Sequence, residues 1–252
     1  MAGPHETTPD QGSFLPANSG ESQQSVGALL GLALRRPGGR RSVSLFTLLL
    51  LVAGVGMFAF PAVTDLYGSY QQRHVKDQLA DPSFKTDYIE HRVKVGEGLT
   101  RLVINNDRVH VNVMVVEGTT LAALQAGAGH YETTPFPCDQ GNVGIAGHRT
   151  TYGRPFNKID EMRPGDTVEL ITPIGTCTYQ VVPGFAGHAN PFVVLPSDFG
   201  VVGQSGALGT GHWLTLTSCH PKGSDSHRIV LRLKMTKFTP VTTAKQSRQG
   251  GK

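Results

Sequence analysis

Between Val43 and Val63 the sequence runs for 21 residues without a single charged side chain. A helix needs about 20 apolar residues to cross the hydrocarbon core of a bilayer, so this run meets the length of a membrane span. Four arginines, Arg35, Arg36, Arg40 and Arg41, stand immediately before it, while Asp65 and Tyr67 follow it. Positive charge favours the cytoplasmic side, so the pattern predicts a cytoplasmic N-terminus with the rest of the chain outside. The competing assignment is a cleaved signal peptide. The long N-terminal region, the full-length apolar run and the lack of a clear small-x-small cleavage site weigh against it.

The run divides the chain. Residues 1–42 are rich in Gly, Ser, Pro and Gln and read as a disordered cytoplasmic segment. Its short apolar patch, Val26 to Leu34, is too short to span a bilayer. Residues 64–92 read as a polar juxtamembrane stalk, 93–237 as the folded domain and 238–252 as a polar tail. With 31 Gly and 16 Pro and no short repeat, the chain suits a turn-rich β protein.

Strand patterns are predicted at His110–Val116, Asn142–His148, Thr167–Thr172, Thr176–Val182, Trp213–Thr217 and Arg228–Lys234. Short helices fit Gly118–Gly127 and Pro155–Arg163. Many short strands with Gly/Pro turns imply a barrel or a sandwich. The net charge of +4 is modest and forms no aromatic-studded basic stripe, so nucleic acid is not an expected partner.

Three cysteines, Cys138, Cys177 and Cys219, are widely separated and form no C-x-x-C pair, so spacing does not support a zinc site. Nor is there a calcium-ligand run of the D-x-[DN]-x-[DN]-G type. No metal and no cofactor are assigned. An odd count allows one disulfide with one free thiol, or three free thiols. Outside a membrane, a Cys138–Cys177 bridge that leaves Cys219 free is chemically accessible.

Cys219 carries the chemical argument. Leu214 and Leu216 alternate with Thr215 and Thr217, which predicts a half-buried strand with Cys219 at its C-terminal end. Pro221 then turns the chain, because proline cannot continue a ladder. A thiol fixed at a strand end beside a loop suits a nucleophile. Taken alone, a free cysteine is more often a buried, inert small hydrophobe. A thiol of ordinary pKa, about 8.5, also needs a basic partner to react at neutral pH. His148 is the best-placed candidate, since it ends one predicted strand and opens the polar loop Arg149–Gly153. His220 adjoins the cysteine but points to the opposite face. Arg228 begins the strand after the Cys219 loop, where a guanidinium can steady an oxyanion or hold a substrate peptide. Arg232 shares its face, about 13 Å further along at about 3.3 Å per residue.

The strings themselves are more specific. Thr215-Leu216-Thr217-Ser218-Cys219, followed by Arg228, resembles the sortase signature T-L-x-T-C with a downstream arginine. Gly141 to Phe156, containing Gly147-His148-Arg149-Thr150-Thr151-Tyr152-Gly153, resembles the histidine segment of class E sortases of actinobacteria. Gly127–Tyr131 and Cys219-His220-Pro221 are similar to that class too. The resemblance covers about residues 93–235. Ser218 departs from the usual threonine, keeping the hydroxyl and losing a methyl.

The resemblance implies a closed, mostly antiparallel eight-stranded β-barrel. It implies that Cys219 attacks the threonine carbonyl of a C-terminal sorting motif of L-P-x-T-G or L-A-x-T-G type. His148 would protonate the leaving glycine amine, and Arg228 would steady the oxyanion or substrate. An amine of a peptidoglycan precursor or a pilin would resolve the thioester. Partners would be secreted proteins bearing the sorting signal. Two rivals stand beside this: an exported cysteine hydrolase with water as acceptor, and a membrane-tethered binding barrel with a structural cysteine. Leu15-Pro16-Ala17-Asn18-Ser19-Gly20 resembles a sorting signal only faintly; it lacks the threonine and falls in the cytoplasmic segment.

Overall fold

The computed structural model describes residues 37–241 except 80, 82, 186 and 204–210. Most of the predicted disordered segment, the Leu15–Gly20 string and most of the polar tail lie outside the described residues.

One helix, α1 (Pro37–Leu79), contains the apolar run and continues past it, with Pro61 inside. It is long and apolar enough to cross a bilayer. The chain divides into two compact units, residues 1–57 and 58–252. Within the second unit, the C-terminal part of α1 is no free-standing stalk. Val75 is buried in a cluster with Met114, Val116, Ala123 and Ala126, and Leu79 packs on it. Gln72 closes the join in polar terms: its amide donates to the carbonyls of Met114 and Ala126 and accepts from the Met114 N–H. The short helix α2 (Phe84–Ile89) follows, with Phe84 and Tyr88 buried.

The strands are β1 (Gly98–Asn105), β2 (His110–Glu117), β3 (Ala128–His130), β4 (Gly141–Ala146), β5 (Thr167–Thr172), β6 (Gly175–Val181), β7 (Gly184–Phe185), β8 (His188–Ala189), β9 (Phe192–Val194), β10 (His212–His220) and β11 (His227–Pro240). Helix α3 (Leu121–Ala126) links β2 to β3. Local chemistry explains several joints. Asn106 accepts the N–H groups of Arg108 and Val109, an Asx turn that closes the β1–β2 hairpin. Thr120 caps α3 by accepting the Ala123 N–H.

The sheet order is β10-β4-β3-β2-β1-β5-β6-β11, and β10 also pairs with β11, so eight strands close into a barrel; β9 is appended to β11. All neighbouring pairs are antiparallel except β2–β3 and β4–β10. The core is the barrel interior, filled by Leu102, Val115, Ile145, Leu170, Leu216 and Leu231 among others. Each such side chain contributes about 1.5–3 kcal/mol by leaving water. Cys138, in the loop before β4, is disulfide-bonded to Cys177 on β6, with Cα atoms 5.7 Å apart.

One expectation fails in detail. The leucine–threonine alternation predicted a half-buried strand at β10, yet its five central residues, Leu214 to Ser218, are all buried. The strand lies between β4 and β11, and its hydroxyl face is covered as well. Thr215 donates to Asn142 and accepts from Arg232, while Thr217 bonds the Tyr131 hydroxyl. A polar face can be buried when every hydroxyl finds a partner.

Candidate active site

Cys219 is the penultimate residue of β10, half-buried and unpaired as a thiol. The β10–β11 register makes Cys219 and Arg228 Cα partners. Directly opposed residues of an antiparallel pair point to one face, with Cβ atoms about 4.5–5.5 Å apart. The guanidinium of Arg228 is braced on its own turn, donating through Nη1 to the carbonyls of Asp225 and His227. On its other side Arg228 pairs with Val194 of β9. Arg232 differs: it is buried, donates to Thr215 Oγ1 and the Val201 carbonyl, and burial lowers its pKa to about 10. It is a structural arginine of the barrel wall.

His148 stands just past β4, which runs parallel to β10 with Ala146 opposite Thr217. Two residues on, each chain reaches its candidate side chain, His148 on one and Cys219 on the other. Bonds on both sides of His148 fix that approach. Gly147 donates its N–H to the Thr217 carbonyl at 3.1 Å, and the Ser218 hydroxyl donates to the Gly147 carbonyl at 2.7 Å. Arg149 donates from Nη1 to the Cys219 carbonyl at 3.5 Å. The serine that departs from the signature thus keeps the hydroxyl function that matters to the histidine loop.

The His148 ring is half-buried, and its Nε2 is buried without a hydrogen-bond partner. Its face lies against Tyr152, with centroids 5.2 Å apart. Burial disfavours the charged imidazolium, so its pKa is lowered and the ring is neutral near pH 7. A neutral imidazole with an unengaged nitrogen can take a proton from one group and hand it to another. His220, next to the cysteine, lies opposite His227 in the ladder rather than opposite Arg228.

Sequence reasoning missed Arg149. It is 2% exposed and ties three elements: Nε to the Asn157 carbonyl, Nη2 to Asp160, Nη1 to the Cys219 carbonyl. Its position directly after His148 was the available signal, but a loop arginine reads as solvated until its partners are known. Tyr131 lies in the Gly127–Tyr131 string, and its hydroxyl meets Thr217 Oγ1 at 2.9 Å.

The family description "Sortase domain" matches residues 104–236. Sortase SrtE1 of Streptomyces coelicolor is 28% identical over 209 residues, covering 77% of this chain and 57% of that protein. The chain therefore spans little more than half the length of that relative. Sortase SrtE2 of the same organism is 28% identical over 235 residues, covering 84% of this chain and 89% of that protein. Among solved structures, sortase E from Streptomyces avermitilis superposes with a TM-score of 0.51 at 32% identity, over 61% of this chain and 97% of that one.

Proposed function

The chain belongs to the sortase family, whose members are cysteine transpeptidases, and on that premise we propose that it is a membrane-anchored transpeptidase in which Cys219, His148 and Arg228 process a C-terminal sorting signal. The substrate class is a secreted protein ending in an L-P-x-T-G or L-A-x-T-G type motif. Residues 93–237 form the catalytic domain in this reading. Residues 43–63 span the membrane once, with the N-terminus in the cytoplasm and the domain outside, as the arginines before the run favour.

The reaction runs in two halves. The Cys219 sulfur attacks the threonine carbonyl carbon as His148 takes the thiol proton. Arg228 faces the negative charge that develops on the carbonyl oxygen. The intermediate collapses, the Thr–Gly bond breaks, and His148 returns the proton to the departing glycine amine. A thioester to Cys219 remains. An amine of a peptidoglycan precursor or pilin then attacks it, forming a new amide and restoring the thiol. The thioester conserves the acyl group, so the transfer needs no nucleotide outside the membrane.

The observation that carries this reading is the register of β10: Arg228 opposite Cys219 on one side, the His148 loop bonded to residues 217–219 on the other. The test is the full chain in lipid nanodiscs with a quenched L-A-x-T-G peptide, with and without triglycine. Cleavage with triglycine incorporation, abolished in Cys219→Ala, supports the reading. Cleavage without incorporation identifies a hydrolase, and cleavage that survives Cys219→Ala removes the catalytic assignment.

A further inference from the structure

The loop that carries His148 is held in an unusual backbone conformation. Tyr152, Gly153 and Arg154 have φ values of 51°, 75° and 48°. Three consecutive left-handed residues, two of them not glycine, persist only where the surroundings hold them. The holding group comes from α1. Asp65 accepts the Gly153 N–H at 2.9 Å through one carboxylate oxygen and pairs with Arg154 Nη2 at 2.8 Å through the other.

Two further contacts converge on the same turn. Tyr67 meets Tyr152 edge to face, with centroids 6.5 Å apart. At Gly68 the helix backbone comes so close to the loop that an added Cβ would lie 3.2 Å from the Tyr152 carbonyl carbon. Tyr152 in turn lies against the His148 ring, and Gln125 of α3 donates to its hydroxyl. Beside these contacts the helix and barrel part around a cavity of about 450 Å³. The loop is therefore gripped at one helical turn, Asp65 to Gly68.

We propose that Asp65 is a positioning residue for His148, acting through the strained 152–154 turn, so that the segment just after the apolar run completes the active site. This rests on the reading of His148 as the acid–base group. In this role Asp65 acts on the loop through Gly153 and Arg154 rather than on the reacting atoms. It fixes the turn that keeps Tyr152 against the imidazole, and so fixes the direction in which Nε2 points.

The experiment uses the full chain in nanodiscs and the L-A-x-T-G peptide with triglycine. Asp65→Ala is expected to lower kcat about tenfold with KM changed less than about twofold, since misplacement of a reacting group acts on the chemical step. Asp65→Glu, which keeps the carboxylate, is expected to recover most of the loss. Gly68→Leu leaves Asp65 intact and favours helix, yet wedges the turn away; kcat should fall there too. Unchanged kcat in Asp65→Ala, an equal loss in Asp65→Glu, or a loss in KM alone would overturn the proposal while His148→Ala remains inactive. Full turnover in His148→Ala would instead remove the underlying reading.

Discussion

Cys219 and Arg228 face each other across the β10–β11 ladder, so the thiol and the guanidinium leave the barrel wall on one face. Truncating the arginine should therefore act on the developing oxyanion. Arg228→Ala is expected to lower kcat by about 10²–10³ in peptide cleavage, the usual cost of one oxyanion donor. Arg228→Lys should recover only part of it, because an ammonium lacks the planar fork. Equal activity of Arg228→Ala and the parent chain in single-turnover assays would remove Arg228 from the chemistry.

Gly147 leaves no room for a side chain. A Cβ there would lie 2.5 Å from Phe156 Cδ2 and 2.8 Å from its Cε2, and Phe156 is fully buried. Gly147→Ala should cost about 1–3 kcal/mol by overpacking. It should also slow turnover, because the displaced backbone carries His148. Phe156→Leu, made in the same chain, should restore part of both. Thermal melts followed by the single tryptophan, Trp213 of β10, check the first quantity, and peptide cleavage checks the second.

The lowered pKa of His148 gives stability a pH dependence. The unfolded chain binds the proton more readily than the folded one. Stability is therefore fully present above about 6.5 and falls as pH drops below that value and through the folded pKa of His148. Between about pH 7.5 and about pH 5, the parent chain should lose more stability than His148→Gln. Parallel loss in both chains, read by Trp213 fluorescence melts, would contradict this.

The Cys138–Cys177 bridge closes a loop with a sequence separation of 39. A loop of that size is worth about 4 kcal/mol in the chain-entropy model. Denatured, unreduced protein should take up one alkylating group, at Cys219, and three after reduction, by intact mass. Three without reduction would mean that the bridge is absent from the protein in solution. The reduced chain should melt earlier.

Much of the barrel was legible. The strand pattern at Thr167–Thr172 matches β5 to the residue, and strand ends and strings singled out the cysteine, histidine and arginine of the proposed site. What failed did so for physical reasons. β10 is covered on both sides, so its threonines looked like a solvent face. β1 was not singled out although both β2 and β5 pair with it. Strands as short as β3 and β9 have too few residues to show a period. The partners of the histidine loop were illegible because they are distant in sequence: Asp65 bonds a residue 88 positions away, and Arg149 a carbonyl 70 positions away. Nothing local marks Asp65, and Arg149 is marked only by its place directly after His148.

The barrel closes through β10 and β11, the pair that bears Cys219 and Arg228. Synthesis proceeds from the N-terminus, so β1 to β6 emerge before either strand exists. Until β11 is in place the ring stays open, and the thiol has no guanidinium opposite it. Completing the fold and bringing Cys219 opposite Arg228 are thus one event, so under the proposed mechanism a chain still being made has no assembled site.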